Sequence, residues 1–77
     1  MPRRMRRQWG KNIEITRQAR GLLQYQLADL IGVRPASVCR WETGVAAPTD
    51  EHKVAIAIAL EVDVRQLFPL VRPVGAR

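Results

Sequence analysis

Chemically distinctive side chains are scarce in this 77-residue chain: one cysteine, one histidine, and Trp9, Tyr25, Trp41 and Phe68 as the only aromatics. The lone Cys39 allows no intramolecular disulfide, which excludes a secreted disulfide scaffold. Cys39 and His52 alone cannot complete a zinc site, and no cofactor is expected. The longest apolar run is Val54–Leu60, far short of the ~20 residues a membrane helix needs. The basic stretch Met1–Arg7 is not followed by the apolar segment of a secretory signal. No paired carboxylates with a histidine, no nucleophile–base set and no phosphate loop stand out, so nothing favours an enzyme. A cytoplasmic protein is the default expectation.

Acidic residues are also few, 7 against 13 Lys plus Arg, for a net charge of +6. That excess in a small chain points to a polyanion, with nucleic acid ahead of an acidic membrane surface. The charge is uneven. Residues 1–44 hold 9 basic and 3 acidic side chains, whereas residues 45–77 hold 4 of each. One half is an anion binder and the other is neutral. Apolar residues make up 47%, an ordinary value for one small folded domain.

Residues 1–8 (MPRRMRRQ) show no apolar period and read as a mobile basic arm. Trp9–Arg20 reads as a helix with Trp9, Ile13, Thr16 and Arg17 toward one face, ended by Gly21. Gln24–Ile31 is a second helix with the stripe Leu27, Ala28 and Ile31, stopped by Gly32. Pro35–Thr43 is a third, with proline at its favoured first position and Gly44 at its end. Val38, Trp41 and Glu42 share one face of it. Ala36, Cys39, Arg40 and Thr43 lie on or beside the other. Thr49 is a good N-cap for a fourth helix, about Asp50–Leu60, with Asp50 and Glu51 suited to its first turn. Asp63 caps a short last helix, Val64–Phe68. Residues 69–77 read as an extended tail.

Two helices joined by the tight Gly32-Val33-Arg34 turn are a helix-turn-helix signal. Ala28 is small enough for close approach, Gly32 accepts a positive φ, and Val33, Val38 and Trp41 lock the second helix on the first. With those residues in place, Trp9–Phe68 resembles the phage repressor/Cro-like (XRE-type) helix-turn-helix family. The segments that carry the resemblance are WGKNIEITRQARGLLQYQLADLIGV, RPASVCRWETG, the Pro-Thr-Asp-Glu start of the fourth helix, and LEVDVRQLF. It implies an all-α, five-helix lambda repressor-like bundle, with residues 1–8 as arm, 9–68 as DNA-binding domain and 69–77 as tail.

The resemblance also implies roles. Gln24 matches a glutamine that bonds a DNA phosphate. Arg34, Pro35, Ala36, Cys39, Arg40 and Thr43 match the groove-facing side of the recognition helix. Arg17 and Glu42 match an ion pair joining the first and third helices. Chemistry weights the groove-facing residues unequally. Arg40 suits the O6/N7 edge of guanine, Ala36 can touch a thymine methyl, and Arg34 can reach a base or a phosphate. Ser37, at the edge, suits a phosphate, and Arg3, Arg4, Arg6 and Arg7 of the arm suit phosphates or a minor groove. Cys39 reads as a small filler rather than a redox sensor, and His52 as a solvated surface residue.

Three departures from the family pattern matter. Residues 45–47, a loop that often meets the DNA backbone, contain no basic side chain, and the arginine-rich arm is expected to supply those contacts. Glu61 stands where a glycine is usual. Lys53 also replaces an apolar residue. Ile56 and Ile58 on the fourth helix, then Val62, Leu70, Val71 and Val74, leave apolar surface exposed in a monomer, so a homodimer through the last two helices and the tail is expected. The resulting expectation is a dimeric regulator, repressor or controller, that binds double-stranded DNA. The rival is an antitoxin-like protein that pairs with a partner through the same surface.

Overall fold

Five helices follow one another in the computed structural model, which describes residues 2–69: α1 (Arg3–Ala19), α2 (Gln24–Ile31), α3 (Pro35–Thr43), α4 (Asp50–Leu60) and α5 (Val64–Leu67). No strand is present among the described residues, and no helix there is long and apolar enough to cross a membrane.

Four of the five helices stop in the same way. A residue with positive φ reverses the chain, and the next N–H turns back to a carbonyl five residues earlier. These bonds are Leu22 to Arg17, Val33 to Ala28, Val45 to Arg40 and Val62 to Ala57, at 3.0–3.1 Å. This closes carbonyls that the helix end would otherwise leave unpaired. Glycine fills the left-handed position in three cases, Gly21, Gly32 and Gly44. In the fourth it is Glu61, at φ 60° and ψ 44°. The starts are equally local. Thr49 Oγ1 accepts the His52 N–H, and Asp63 Oδ1 accepts the Arg65 N–H. Pro35 opens α3, where its missing N–H costs nothing.

All five helices contribute to the core, with α1 packed on α3 and α5, and α2 on α3 and α4. Trp9, Ile13, Leu27, Val38, Trp41, Ile56, Leu60, Leu67 and Phe68 are all buried there. The Trp9 and Phe68 rings meet edge to face with centroids 5.3 Å apart. Asn12 Nδ2 donates to the Leu67 carbonyl at 2.9 Å and ties the end of α5 to α1. The Lys53 ammonium lies 4.2 Å from the Trp9 ring centroid and 3.5 Å from Asp50 Oδ1. The methylene stem therefore covers apolar surface while the charge sits on an aromatic face.

Three sequence expectations need correction. Residues 3–8 are not an arm: they are the first turns of α1, continuous with the rest. Met5 packs on the core and Arg6 Nε donates to the Gly44 carbonyl at 3.1 Å. Tertiary contact, not apolar period, holds them helical. His52 is half-buried with its ring 5.2 Å from that of Trp41, not simply solvated. Phe68 follows α5 rather than ending it. The expected extended tail lies, from residue 70 on, outside the described residues.

Candidate nucleic-acid interface

Helix α3 is divided by its own periodicity. Val38, Trp41 and Glu42 point inward and are buried. Ala36, Cys39, Arg40 and Thr43 are exposed, as are Arg34 and Pro35 at the start of the helix. Positions 36, 39, 40 and 43 follow the i, i+3, i+4, i+7 rule and form one outward stripe. Of the residues expected to face a groove, all six therefore share the solvent side of α3 and its entry. Ser37 is half-buried at the edge of that stripe. The Thr43 hydroxyl is turned inward along the helix, donating to the Cys39 carbonyl at 2.9 Å. Only its methyl group and the oxygen lone pairs remain for an outside partner.

What holds α3 at its angle is a buried polar cluster. Arg17 Nε donates to Glu42 Oε2 at 2.6 Å and Arg17 Nη2 to Glu42 Oε1 at 3.1 Å, a two-pronged pair. Arg17 Nη1 also donates to the Leu22 carbonyl at 2.6 Å. Gln24 Nε2 donates to Glu42 Oε1 at 2.8 Å. One carboxylate thus ties together α1, the first residue of α2 and α3. The hydrogen bond that Arg17 donates to Glu42 raises the Arg17 pKa, and it outweighs the opposing effect of burial. Sequence reasoning assigned Gln24 to a phosphate and missed its bond to Glu42. A second N–H of the same amide is left to donate elsewhere.

A second group borders the end of α3. Arg3, Arg6 and Arg7, with Thr43, Gly44 and Val45, line an open cleft of about 560 Å³. The three arginines stand at i, i+3 and i+4 of α1. Arg4 is separate, lining a different groove with Pro2, Met5, Gln8, Trp9 and Pro69. The spacing of the arginines was visible in the sequence, but only a helical reading of residues 3–8 would have given it meaning.

The approach of α1 to α3 is close because two glycines permit it. A Cβ on Gly10 would collide with the carbonyl oxygens of Trp41 and Glu42. A Cβ on Gly44 would lie 2.6 Å from Arg7 Cγ and 2.9 Å from Arg7 Cα.

Comparison with known proteins agrees with this geometry. The family model described as Helix-turn-helix matches residues 13–67. Among solved structures, the restriction-modification controller protein C.AhdI from Aeromonas hydrophila superposes with a TM-score of 0.79 at 30% identity, covering 82% of this chain and 96% of that one. The clp gene regulator ClgR from C. glutamicum superposes with a TM-score of 0.77 at 22% identity, covering 82% of each chain, and so shares the fold. No curated protein sequence matches significantly. With α2, the glycine turn and α3 arranged as described, the chain belongs to the helix-turn-helix family, of the XRE type, and is a DNA-binding transcription regulator.

Proposed function

We propose that the protein is a repressor or controller-type regulator that binds a two-part operator as a homodimer, with α3 in the major groove. The observation that carries this reading is the outward stripe Ala36, Cys39, Arg40 and Thr43, backed by a buried Arg17–Glu42–Gln24 cluster that fixes its direction. Arg40 is the main base reader, forking onto guanine. Arg34 reads a base or a phosphate. Pro35, Ala36, Cys39 and Thr43 offer apolar or shape contacts, so DNA deformability contributes to specificity. Gln24 and Ser37 bond the backbone. The controller reading draws on C.AhdI, described as a restriction-modification controller.

The dimer reading draws on α4. Val54 and Ile58 stand one turn apart and are 51% and 71% exposed. An apolar strip in water on an otherwise amphipathic helix marks a contact surface. A second subunit there would present two copies of α3 to half-sites about 34–36 Å apart.

Selection of random duplexes at about 150 mM salt, followed by sequencing, tests the reading. An inverted repeat with its halves one helical turn apart is the expected result. Salt-sensitive binding with no enriched motif would refute sequence reading and favour the antitoxin-like alternative, in which the α4 strip meets a different protein. Sedimentation that shows only monomer at tens of micromolar, with and without DNA, would refute the dimer.

A further inference from the structure

We propose that Arg3 and Arg7 form a preformed grip for one DNA backbone phosphate at the end of α3, with Arg6 holding the grip in place. The inference rests on the DNA-binding reading and assigns a partner group to a cleft that the recognition stripe meets only at Thr43.

The cleft is built rather than incidental. Its arginines come from one face of α1, and its far wall is Thr43, Gly44 and Val45. Arg6 Nε donates to the Gly44 carbonyl, so its charge sits at the negative end of the α3 dipole. The Gly44 backbone packs directly on the Arg7 backbone, and a single added carbon would not fit between them. The backbone that carries these arginines therefore keeps a fixed position relative to α3.

Two of the cleft's arginines carry charge toward solvent. Arg3 and Arg7 are exposed, and among the described residues neither pairs with an acidic side chain. Arginines are also the wrong charge for the start of a helix. The first turn of α1 holds no acidic residue, although the dipole there favours one. Like charges at i, i+4 are mutually unfavourable as well. The arrangement opposes stability on both counts and suits an anion placed between the guanidinium groups. A phosphate fits their donor geometry, which can engage two oxygens at once.

Location selects the DNA backbone as the source of that phosphate. Thr43 lines the cleft and also ends the outward stripe of α3. The adjoining loop, residues 45–47, has no basic side chain. The arginines of α1 stand against the start of that loop and supply the charge it lacks.

The test compares the full chain with the double variant Arg3→Gln/Arg7→Gln and with the charge-matched control Arg20→Gln/Arg65→Gln, which removes two exposed arginines outside the cleft. Binding to a random-sequence 30-base-pair duplex is measured between about 50 and 200 mM KCl. The double variant is expected to flatten the slope of log K against log[salt] by about 0.9 per bound subunit. The control is expected to change it little. Without DNA, the double variant is expected to melt at the same temperature as the parent or higher, since repulsion has been removed. An unchanged slope in a parent that binds DNA would overturn the grip alone. Equal flattening by Arg20→Gln/Arg65→Gln would overturn it too, showing diffuse attraction rather than a fixed site. A parent chain with no salt-sensitive binding would overturn the DNA-binding reading and the grip with it.

Discussion

Gly10→Ala sets local propensity against packing, and the structure gives each a magnitude. Gly10 sits inside α1, where alanine is favoured over glycine by about 0.8–1.0 kcal/mol. That figure already contains glycine's larger loss of backbone freedom on folding. Against this stands a Cβ driven into the carbonyl oxygens of Trp41 and Glu42. Those atoms belong to backbone in the last turn of α3 and cannot swing aside like a side chain. Relief requires α1 and α3 to part. A gap of about 0.5–1 Å forfeits roughly a quarter to a half of each contact's attraction. Trp9 and Ile13, on either side of Gly10, would draw back from the core. Overpacking of this kind costs about 1–3 kcal/mol and sometimes more. The clash outweighs the propensity gain, leaving a net loss of about 2 kcal/mol at the upper end of that range. At about 4–8 °C per kcal/mol, the melting temperature should fall by roughly 10–15 °C. Thermal circular dichroism, with urea unfolding followed by Trp9 and Trp41 fluorescence, reads the effect. A variant as stable as the parent, or more stable, would refute the close approach.

Other consequences are equally direct. Glu42→Gln should cost about 3–5 kcal/mol, because Arg17 stays buried without its countercharge; urea unfolding that moves by less than ~1 kcal/mol would show that the pair is dispensable. Glu61→Gly should stabilise the fold by about 0.5–1 kcal/mol by relieving a left-handed residue, and a lowered urea midpoint would contradict this. Hydrogen bonds from Arg65, its side chain foremost and then its backbone, hold the Asp63 carboxyl below the usual range. Its stabilising contribution is therefore complete above the ordinary carboxylate pKa and is lost as pH falls through the lower folded value. A carbon-detected NMR titration should place its midpoint below ~3.9, and an ordinary midpoint would count against the cap. Arg40→Ala should weaken binding to the selected operator by about 1–3 kcal/mol and to random duplex by less; equal losses on both would remove its base-reading role.

The limits of α2, α3 and α4 were legible because local chemistry sets them. Gly32 and Gly44 accept the left-handed stop, Pro35 opens a helix, and Thr49 caps one. The start of α1 was not legible. Residues 3–8 are polar apart from Met5, and what keeps them helical is a partner 38 positions away, the Gly44 carbonyl. No local pattern encodes such a contact. The same reason hid the arginine face, since its spacing means nothing until the segment is known to be a helix. On α4 the apolar residues were evident, but burial was not. Ile56 and Leu60 are fully buried, whereas Val54 and Ile58 face outward, a division that depends on where α2 and α5 lie. The outward stripe of α3 followed from periodicity and resemblance together. The tie from Gln24 to Glu42 did not, because a glutamine amide serves a carboxylate and a phosphate equally well.

The split of α3 into an inner set and an outer set has an evolutionary meaning. Val38, Trp41 and Glu42 fasten the helix to the body, while Ala36, Cys39 and Arg40 turn their side chains to solvent and serve the fold only through their backbone. Substitutions at those three outward positions can accumulate without a folding penalty, so one scaffold can drift from operator to operator. The outer triplet is accordingly the place to rewrite preference by design, with the inner set left intact.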